Sequence, residues 1–267
     1  MKTLINKGKL FLYNKNKKFI DRLIYKYTSL TPIGDFNEKD VFIVGFPKSG
    51  NTLMQNIMTG IVYGINPKQL HDSVIQQLIP DIYTELYYKR FLDRCFFKSH
   101  ELPMPHYKNV IYIVRDGRDA VVSYYHYNKA MDKRYSLDEM ISEGKGLMPC
   151  KWHIHATKWL ENPYAANIIY IKYEDLLTNS LHEINRLCEF VNIKREQPFL
   201  EDLVEGCSFD NMRKKEVEQG WDNKNWKPEN FFVRKGKIGD FVNEISQQNL
   251  EKFNNEAYII LKHFNYI

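Results

Sequence analysis

Val41-Phe-Ile-Val-Gly45-Phe-Pro-Lys-Ser-Gly50-Asn51-Thr52 is the stretch on which the fold turns. Its first five residues form an apolar run of strand length. Phe46 to Asn51 follows as a Pro/Gly turn. Thr52 to Tyr63 then predicts a helix, with Leu53, Ile57 and Ile61 on one face. Strand, tight turn and helix in that order open a parallel α/β sheet. The turn itself is close to the phosphate-binding pattern GxxxxGK[ST]. Gly45 and Gly50 take the two glycine positions and Thr52 opens the helix. Backbone N–H groups and a helix N-terminus would surround an anionic phosphate there. The usual lysine position holds Asn51, however, and the turn's lysine sits three residues earlier, at Lys48. An NTP-hydrolysing site needs that lysine on the β/γ-phosphates, so a different donor is indicated.

Further strands are predicted at Cys95–Lys98, Val110–Val114 and Ile168–Lys172. Helices are predicted at 68–79, 83–93, 119–131, 150–160, 180–192, 197–205 and 246–264. The polar, mixed-charge stretch 208–240 reads as a long loop. The fold class is therefore α/β: three layers, with a central parallel sheet flanked by helices and a P-loop-like nucleotide-binding turn. A chain of 267 residues, 43% hydrophobic and 27% charged, is large enough for a full core and is not a disordered chain.

Four motifs stand in order along this frame. They are Phe46-Pro-Lys-Ser-Gly-Asn-Thr52, Lys98-Ser-His100-Glu-Leu-Pro103, Arg115-Asp-Gly-Arg-Asp-Ala-Val-Val-Ser123 and Arg234-Lys-Gly-Lys-Ile-Gly-Asp240. Together they resemble the cytosolic-type sulfotransferase family: its PKSGTTW phosphosulfate loop, KTHLP segment, 3′-phosphate motif and C-terminal RKGxxGD motif. Tyr173-Glu-Asp175 also fits. The resemblance spans roughly residues 40 to 241.

It implies a donor, 3′-phosphoadenosine-5′-phosphosulfate (PAPS), with 3′,5′-phosphoadenosine (PAP) as product and no metal. The sulfuryl group would pass to an acceptor hydroxyl or amine. His100 would be the general base, Lys48 would stabilise the leaving oxygen, and Lys98 would aid the transferring group. Ser49, Gly50, Asn51 and Thr52 would hold the 5′-phosphate and sulfate. Arg115, Ser123, Arg234, Lys235 and Gly236 would hold the 3′-phosphate end. Leu53, Tyr173 and Phe209 complete the expected donor site. Leu53 replaces the family's adenine-stacking Trp, and Phe209 is the expected substitute. A nucleotide or small-molecule kinase and a non-catalytic nucleotide-binding relative are the rival readings; Asn51 speaks against the first, and intact Lys48, Lys98 and His100 against the second.

Several other residues have plain alternatives. His155 suits either an acceptor pocket or the core. Tyr124, Tyr125, His126 and Tyr127 read first as a packing face. Tyr83, Tyr87 and Tyr88 read as packing residues. Arg118 and Asp119 are expected to form a helix-start ion pair. His153 and His155 have no third ligand spaced for a metal. The scattered Cys95, Cys150, Cys188 and Cys207 read as reduced thiols of a cytoplasmic protein.

Charge is uneven. Residues 1–30 carry eight Lys or Arg against Asp21 alone, a net +7, so the remaining residues sum to about −2. The chain thus divides into a basic, aromatic arm (1–30) and a sulfotransferase domain (31–267). A solvated basic helix is the plainer reading of the arm. Leu10, Phe11, Leu12, Phe19, Ile20, Leu23 and Ile24 among its lysines make a peripheral membrane foot the functional one. No basic stripe continues into the domain, so nucleic acid is not an expected partner. No apolar run has transmembrane length and no secretory leader is read. The acceptor is expected to be a small molecule, a sugar or a lipid. The dimer motif of many animal members is not present, so their dimer is not carried over.

Overall fold

The computed structural model describes residues 17–220, 226 and 231–267. The first sixteen residues of the basic arm lie outside that range; residues 17–28 form a helix, α1. The elements that follow are β1 (Leu30–Pro32), β2 (Val41–Val44), α2 (Asn51–Tyr63), α3 (Asp72–Leu78), β3 (Tyr87–Lys89), β4 (Phe96–Ser99), β5 (Asn109–Val114), α4 (Gly117–Ala130), α5 (Leu137–Glu143) and α6 (Trp152–Glu161). The last are β6 (Asn167–Lys172), α7 (Tyr173–Thr178), α8 (Ser180–Phe190), α9 (Gln197–Gly206), α10 (Phe209–Gln219) and α11 (Gln247–His263).

The central sheet has the order β4-β2-β5-β6, and every pairing in it is parallel. The inner strands β2 and β5 are almost wholly apolar because both faces are covered, whereas β4 ends in Lys98 and Ser99 and the edge strand β6 is only half-buried. Phe42, Val44, Val110, Tyr112 and Val114 join one core with α4, α6 and α11. Val41, Ile43, Ile111 and Ile113 join the other with α2, α8 and α9. Alternate residues thus serve opposite layers, as the two-residue period of a strand requires. The doubly covered sheet brings the C-terminal ends of β2, β4 and β5 side by side, where ligand crevices form in open α/β sheets.

The structure departs from the sequence reading at four places. Residues 83–93 are not a helix: β3 lies there and pairs antiparallel with β1, Tyr88 opposite Thr31. Tyr88 anchors it, donating its hydroxyl to the Asp35 carbonyl at 2.7 Å. The stretch 208–240 is not all loop, since α10 occupies its first third. Ser208 caps that helix by accepting from the Asn211 amide. Helix α10 shows no apolar stripe because Glu216 is its one buried residue. Helix α5 was not anticipated, although Ser136 and Glu139 form a full capping box at its start. The segment 68–79 is split, a 3-10 turn at Pro67–Gln69 preceding α3.

Candidate active site

The phosphate-type loop links β2 to α2. Gly50 caps the helix at φ 103° and Lys48 sits at φ 68°, so two left-handed residues bend the chain within three positions. Only glycine suits position 50. A Cβ there would lie 2.6 Å from the Tyr173 ring, besides the unfavourable backbone. Asn51 turns its side-chain amide back onto the loop, donating to the Phe46 carbonyl at 3.1 Å. In place of a lysine reaching for phosphate, this position staples the turn.

His100 follows β4, the strand beside β2. Its Nδ1 lies 2.8 Å from the Gly45 carbonyl, which can only accept. Nδ1 therefore carries the proton, and Nε2 is left with its lone pair. Burial, then the Lys98 charge and more weakly that of Lys48, push the imidazole down to about 4, against the opposing pull of Asp81 and the Gly45 carbonyl. The ring is neutral at physiological pH, with the Nε2 lone pair free to accept a proton.

Lys48 has its ammonium 3.4 Å from the centre of the Phe232 ring and 5.0 Å from that of Tyr127. Burial and the neighbouring Arg115 and Lys98 hold its pKa well below the usual lysine value. Lys98 faces Asp81 across 3.0 Å. Arg115 spans the site: Nη1 donates to the Lys48 carbonyl at 3.3 Å and Nη2 to the Lys237 carbonyl at 3.2 Å. Its guanidinium lies 4.6 Å from the centre of the Tyr173 ring.

The C-terminal basic segment is tied down by carboxylates. Arg234 and Lys235 each reach Asp240 at 2.8 Å. Asp119 accepts from the amides of Gly239 at 2.7 Å and Phe241 at 3.0 Å. The expected Arg118–Asp119 pair is thus not formed. Arg118 instead grips Asp116 at 2.6 Å, because Asp119 is already committed to the turn 239–241. Glu216 of α10 accepts from the amides of Phe232 at 2.5 Å and Val233 at 2.9 Å, holding the Phe232 ring over Lys48.

The phosphate loop, Lys98, His100, Arg115 and the 232–237 segment open on one cavity of about 890 Å³. Its walls include Lys48, Gly50, Asn51, Thr52, Leu53, Lys98, His100, Arg115, Ser123, Tyr173, Phe209, Arg234, Lys235 and Gly236. Ser49 is the expected site residue that does not open on it; it is fully buried beneath the loop. Gly236 packs directly on the Phe209 ring, since a Cβ at 236 would stand 2.4 Å from it. Tyr83, Tyr124 and Tyr127 also line the cavity, whereas Tyr87 and Tyr88 do not. Sequence reasoning passed over Asp81, Phe232 and Glu216, none of which lies in a motif.

His155 belongs to the core, where it is fully buried. It sits 3.1 Å from the His100 carbonyl through Nε2 and 2.9 Å from the Tyr112 hydroxyl through Nδ1. The carbonyl fixes Nε2 as the protonated nitrogen, so His155 braces the backbone of His100 from behind. Trp159 does the same for the next residue, donating to the Glu101 carbonyl at 3.0 Å.

The residues fit a polyanionic nucleotide. Six basic side chains, Lys48, Lys98, Arg115, Arg234, Lys235 and Lys237, line one cavity. Ser49 Oγ, Asn51 Oδ1 and Arg115 Nε are buried and make no hydrogen bond within the protein. Phe209, Tyr173 and Leu53 supply apolar wall. Among the described residues no group of three or more His, Cys, Asp or Glu is placed to hold a metal ion.

A phosphate-type loop on a parallel sheet, ringed by basic side chains, makes an anion-binding crevice of the kind nucleotide-binding enzymes use. Residues 38–258 match the sulfotransferase domain family. The chain belongs to that family, in its cytosolic type, and is a sulfotransferase. It is 29% identical over 198 residues to "Sulfotransferase 4A1" of Mus musculus, covering 66% of this chain and 68% of that one. It is 26% identical over 249 residues to "Flavonol 4'-sulfotransferase" of Flaveria chlorifolia, covering 80% and 76%. Its fold is similar to that of retinol dehydratase in a complex with retinol and PAP, with a TM-score of 0.66, 19% identity and coverage of 85% and 82%.

Proposed function

We propose that this chain transfers the sulfuryl group of PAPS to a hydroxyl of a small-molecule, sugar or lipid acceptor. The observation that carries the proposal is the meeting of His100, Lys48, Arg115, Ser123 and Arg234 on one cavity. The donor's terminal phosphosulfate brings an activated sulfur to the loop. His100 Nε2 accepts the acceptor's hydroxyl proton as that oxygen bonds to sulfur, and the bond from sulfur to the 5′-phosphate oxygen breaks in line. Lys48 faces the leaving oxygen and offsets its growing charge. Arg115, Ser123 and the 234–236 segment bind the 3′-phosphate, the group that separates this donor from ATP. Phe209 and Tyr173 flank the adenine in place of the missing Trp.

The relatives support a small-molecule acceptor by name, a flavonol for one and retinol in the structure of another. Incubation with radiolabelled PAPS and a panel comprising a flavonol, androsterone, retinol, a simple phenol and a monosaccharide tests the reading. Labelled acceptor with stoichiometric PAP supports it. In a parallel incubation with γ-labelled ATP and Mg²⁺, label transferred only from ATP would replace it with the kinase.

We read residues 31–267 as the catalytic domain and 1–30 as an arm that rests on an anionic membrane. No helix among the described residues is long and apolar enough to cross a membrane. On α1, Phe19, Ile20 and Tyr27 are exposed by 63, 51 and 76%, beside Lys18, Arg22 and Lys26. Co-sedimentation with phosphatidylserine vesicles but not with phosphatidylcholine vesicles is expected; equal partition into both, or into neither, would refute it.

A further inference from the structure

Asp81 is a buried carboxylate in the active cavity that the transfer scheme above leaves without a role. It precedes a turn outside every motif. Residues 80–82 run beside β4 as a parallel bridge: the Lys98 amide donates to the Pro80 carbonyl at 2.9 Å, and the Ile82 amide donates to the Lys98 carbonyl at 3.0 Å. That bridge fixes Asp81 in register with Lys98. Both carboxylate oxygens are then engaged. Oδ1 accepts from the Tyr83 amide at 2.9 Å, and Oδ2 stands 3.0 Å from Lys98 Nζ.

The pair is shielded, with the Lys98 and Asp81 side chains 11% and 9% exposed. Burial alone would raise the Asp81 pKa, but Lys98, His100 and the Tyr83 amide together hold it below the usual carboxylate value. It is therefore ionised, and the contact is an ion pair.

A lysine on a four-carbon stem has many rotamers, and a buried carboxylate selects one of them. The same charge acts on the rest of the site. His100 is faced by Lys98 from β4, by Asp81 from the 80–82 bridge, by Lys48 and the Gly45 carbonyl from the phosphate loop, and by the Tyr83 ring at 6.1 Å. His155 touches it only through the backbone carbonyl. Asp81 is the carboxylate in this set, and it offsets the two lysines.

Building on the sulfotransferase reading, we propose that Asp81 is a positioning residue for the transfer step: it holds the Lys98 ammonium beside His100 and balances that charge against the base. The substrate-facing work stays with Lys98 and His100. Asp81 acts through them.

The test uses the full chain with PAPS and whichever panel acceptor is turned over fastest. Asp81→Asn is expected to lower kcat by about tenfold or more while leaving PAP affinity within about twofold. Loss of the negative charge favours the neutral imidazole, so the acid limb of kcat/KM moves to lower pH. Asp81→Glu, which restores the charge on a longer arm, is expected to recover part of kcat. From the other side, Lys98→Met is expected to raise the His100 pKa, read by NMR on its imidazole in the PAP-bound protein. An active wild type with Asp81→Asn within about twofold of it in kcat, an unmoved acid limb, or PAP affinity falling in step with kcat would each overturn the proposal. A fall in the His100 pKa on Lys98→Met would do so without any turnover. A wild type that neither binds PAP nor transfers sulfuryl would instead overturn the sulfotransferase reading on which this rests.

Discussion

His100 Nδ1 and the Gly45 carbonyl lie 2.8 Å apart, joining the end of one strand to the start of the phosphate loop on the next. This contact sets the tautomer of the imidazole and its distance from the phosphate loop together. Replacing His100 with Ala is expected to lower kcat by roughly 10²–10⁴-fold while PAP binds nearly as before. Parallel turnover and calorimetry on the variant check this. Equal loss of both would assign His100 to binding.

The pH dependence follows from the same environment. An imidazole pushed down to about 4 remains the free base well below the usual histidine range. Protonation removes activity only as pH falls through that value. The kcat/KM profile of the wild type is therefore expected to stay flat from neutral pH down to about pH 5. An acid limb near 6.5 would mean that His100 is more solvated than its surroundings indicate.

Arg115 ties the phosphate loop to the C-terminal basic segment through the Lys48 and Lys237 carbonyls. Arg115→Ala is expected to weaken PAP by about 10- to 100-fold, the worth of a charge-assisted contact, and to leave 5′-AMP little changed. Calorimetry with both nucleotides separates the two effects. A uniform loss would place the arginine in the fold and not on the 3′-phosphate.

Gly50 leaves no room for a side chain at φ 103°, with Tyr173 closing the space. Gly50→Ala is expected to cost about 1–3 kcal/mol through backbone strain alone, plus displacement of Tyr173. Denaturant unfolding and PAP affinity should both register it. His155→Phe removes the brace on the His100 carbonyl and leaves Tyr112 without its partner. About 1–3 kcal/mol of stability is expected to go with it, and kcat to fall with little change in PAP affinity.

Much of this arrangement is written in local sequence. The apolar runs of β2, β4 and β5 name a parallel sheet because strands buried on both faces need continuous hydrophobicity, and the half-buried edge strand β6 carries a similar run. Lys48, His100, Arg115, Ser123 and Arg234 stand in short ordered motifs, and all five open on the cavity. What escaped the sequence depends on distant partners. Helix α10 has no apolar stripe, since its buried residue is a glutamate that faces the 232–233 amides. Residues 87–89 become a strand because β1 lies beside them, and nothing within 83–93 announces that partner. Asp119 looks like a mate for Arg118 until the turn at 239–241, 120 residues away, claims both of its oxygens. Asp81 is placed by a bridge to β4 that no spacing rule reveals.

The donor is the point on which the rest depends, and calorimetric titration with PAP, set against ADP with and without Mg²⁺, decides it. The arrangement of Lys48, Arg115, Ser123 and Arg234 calls for tight, metal-free binding of PAP that weakens sharply when the 3′-phosphate is removed. Preference for ADP with Mg²⁺ would contradict it and put a kinase in its place.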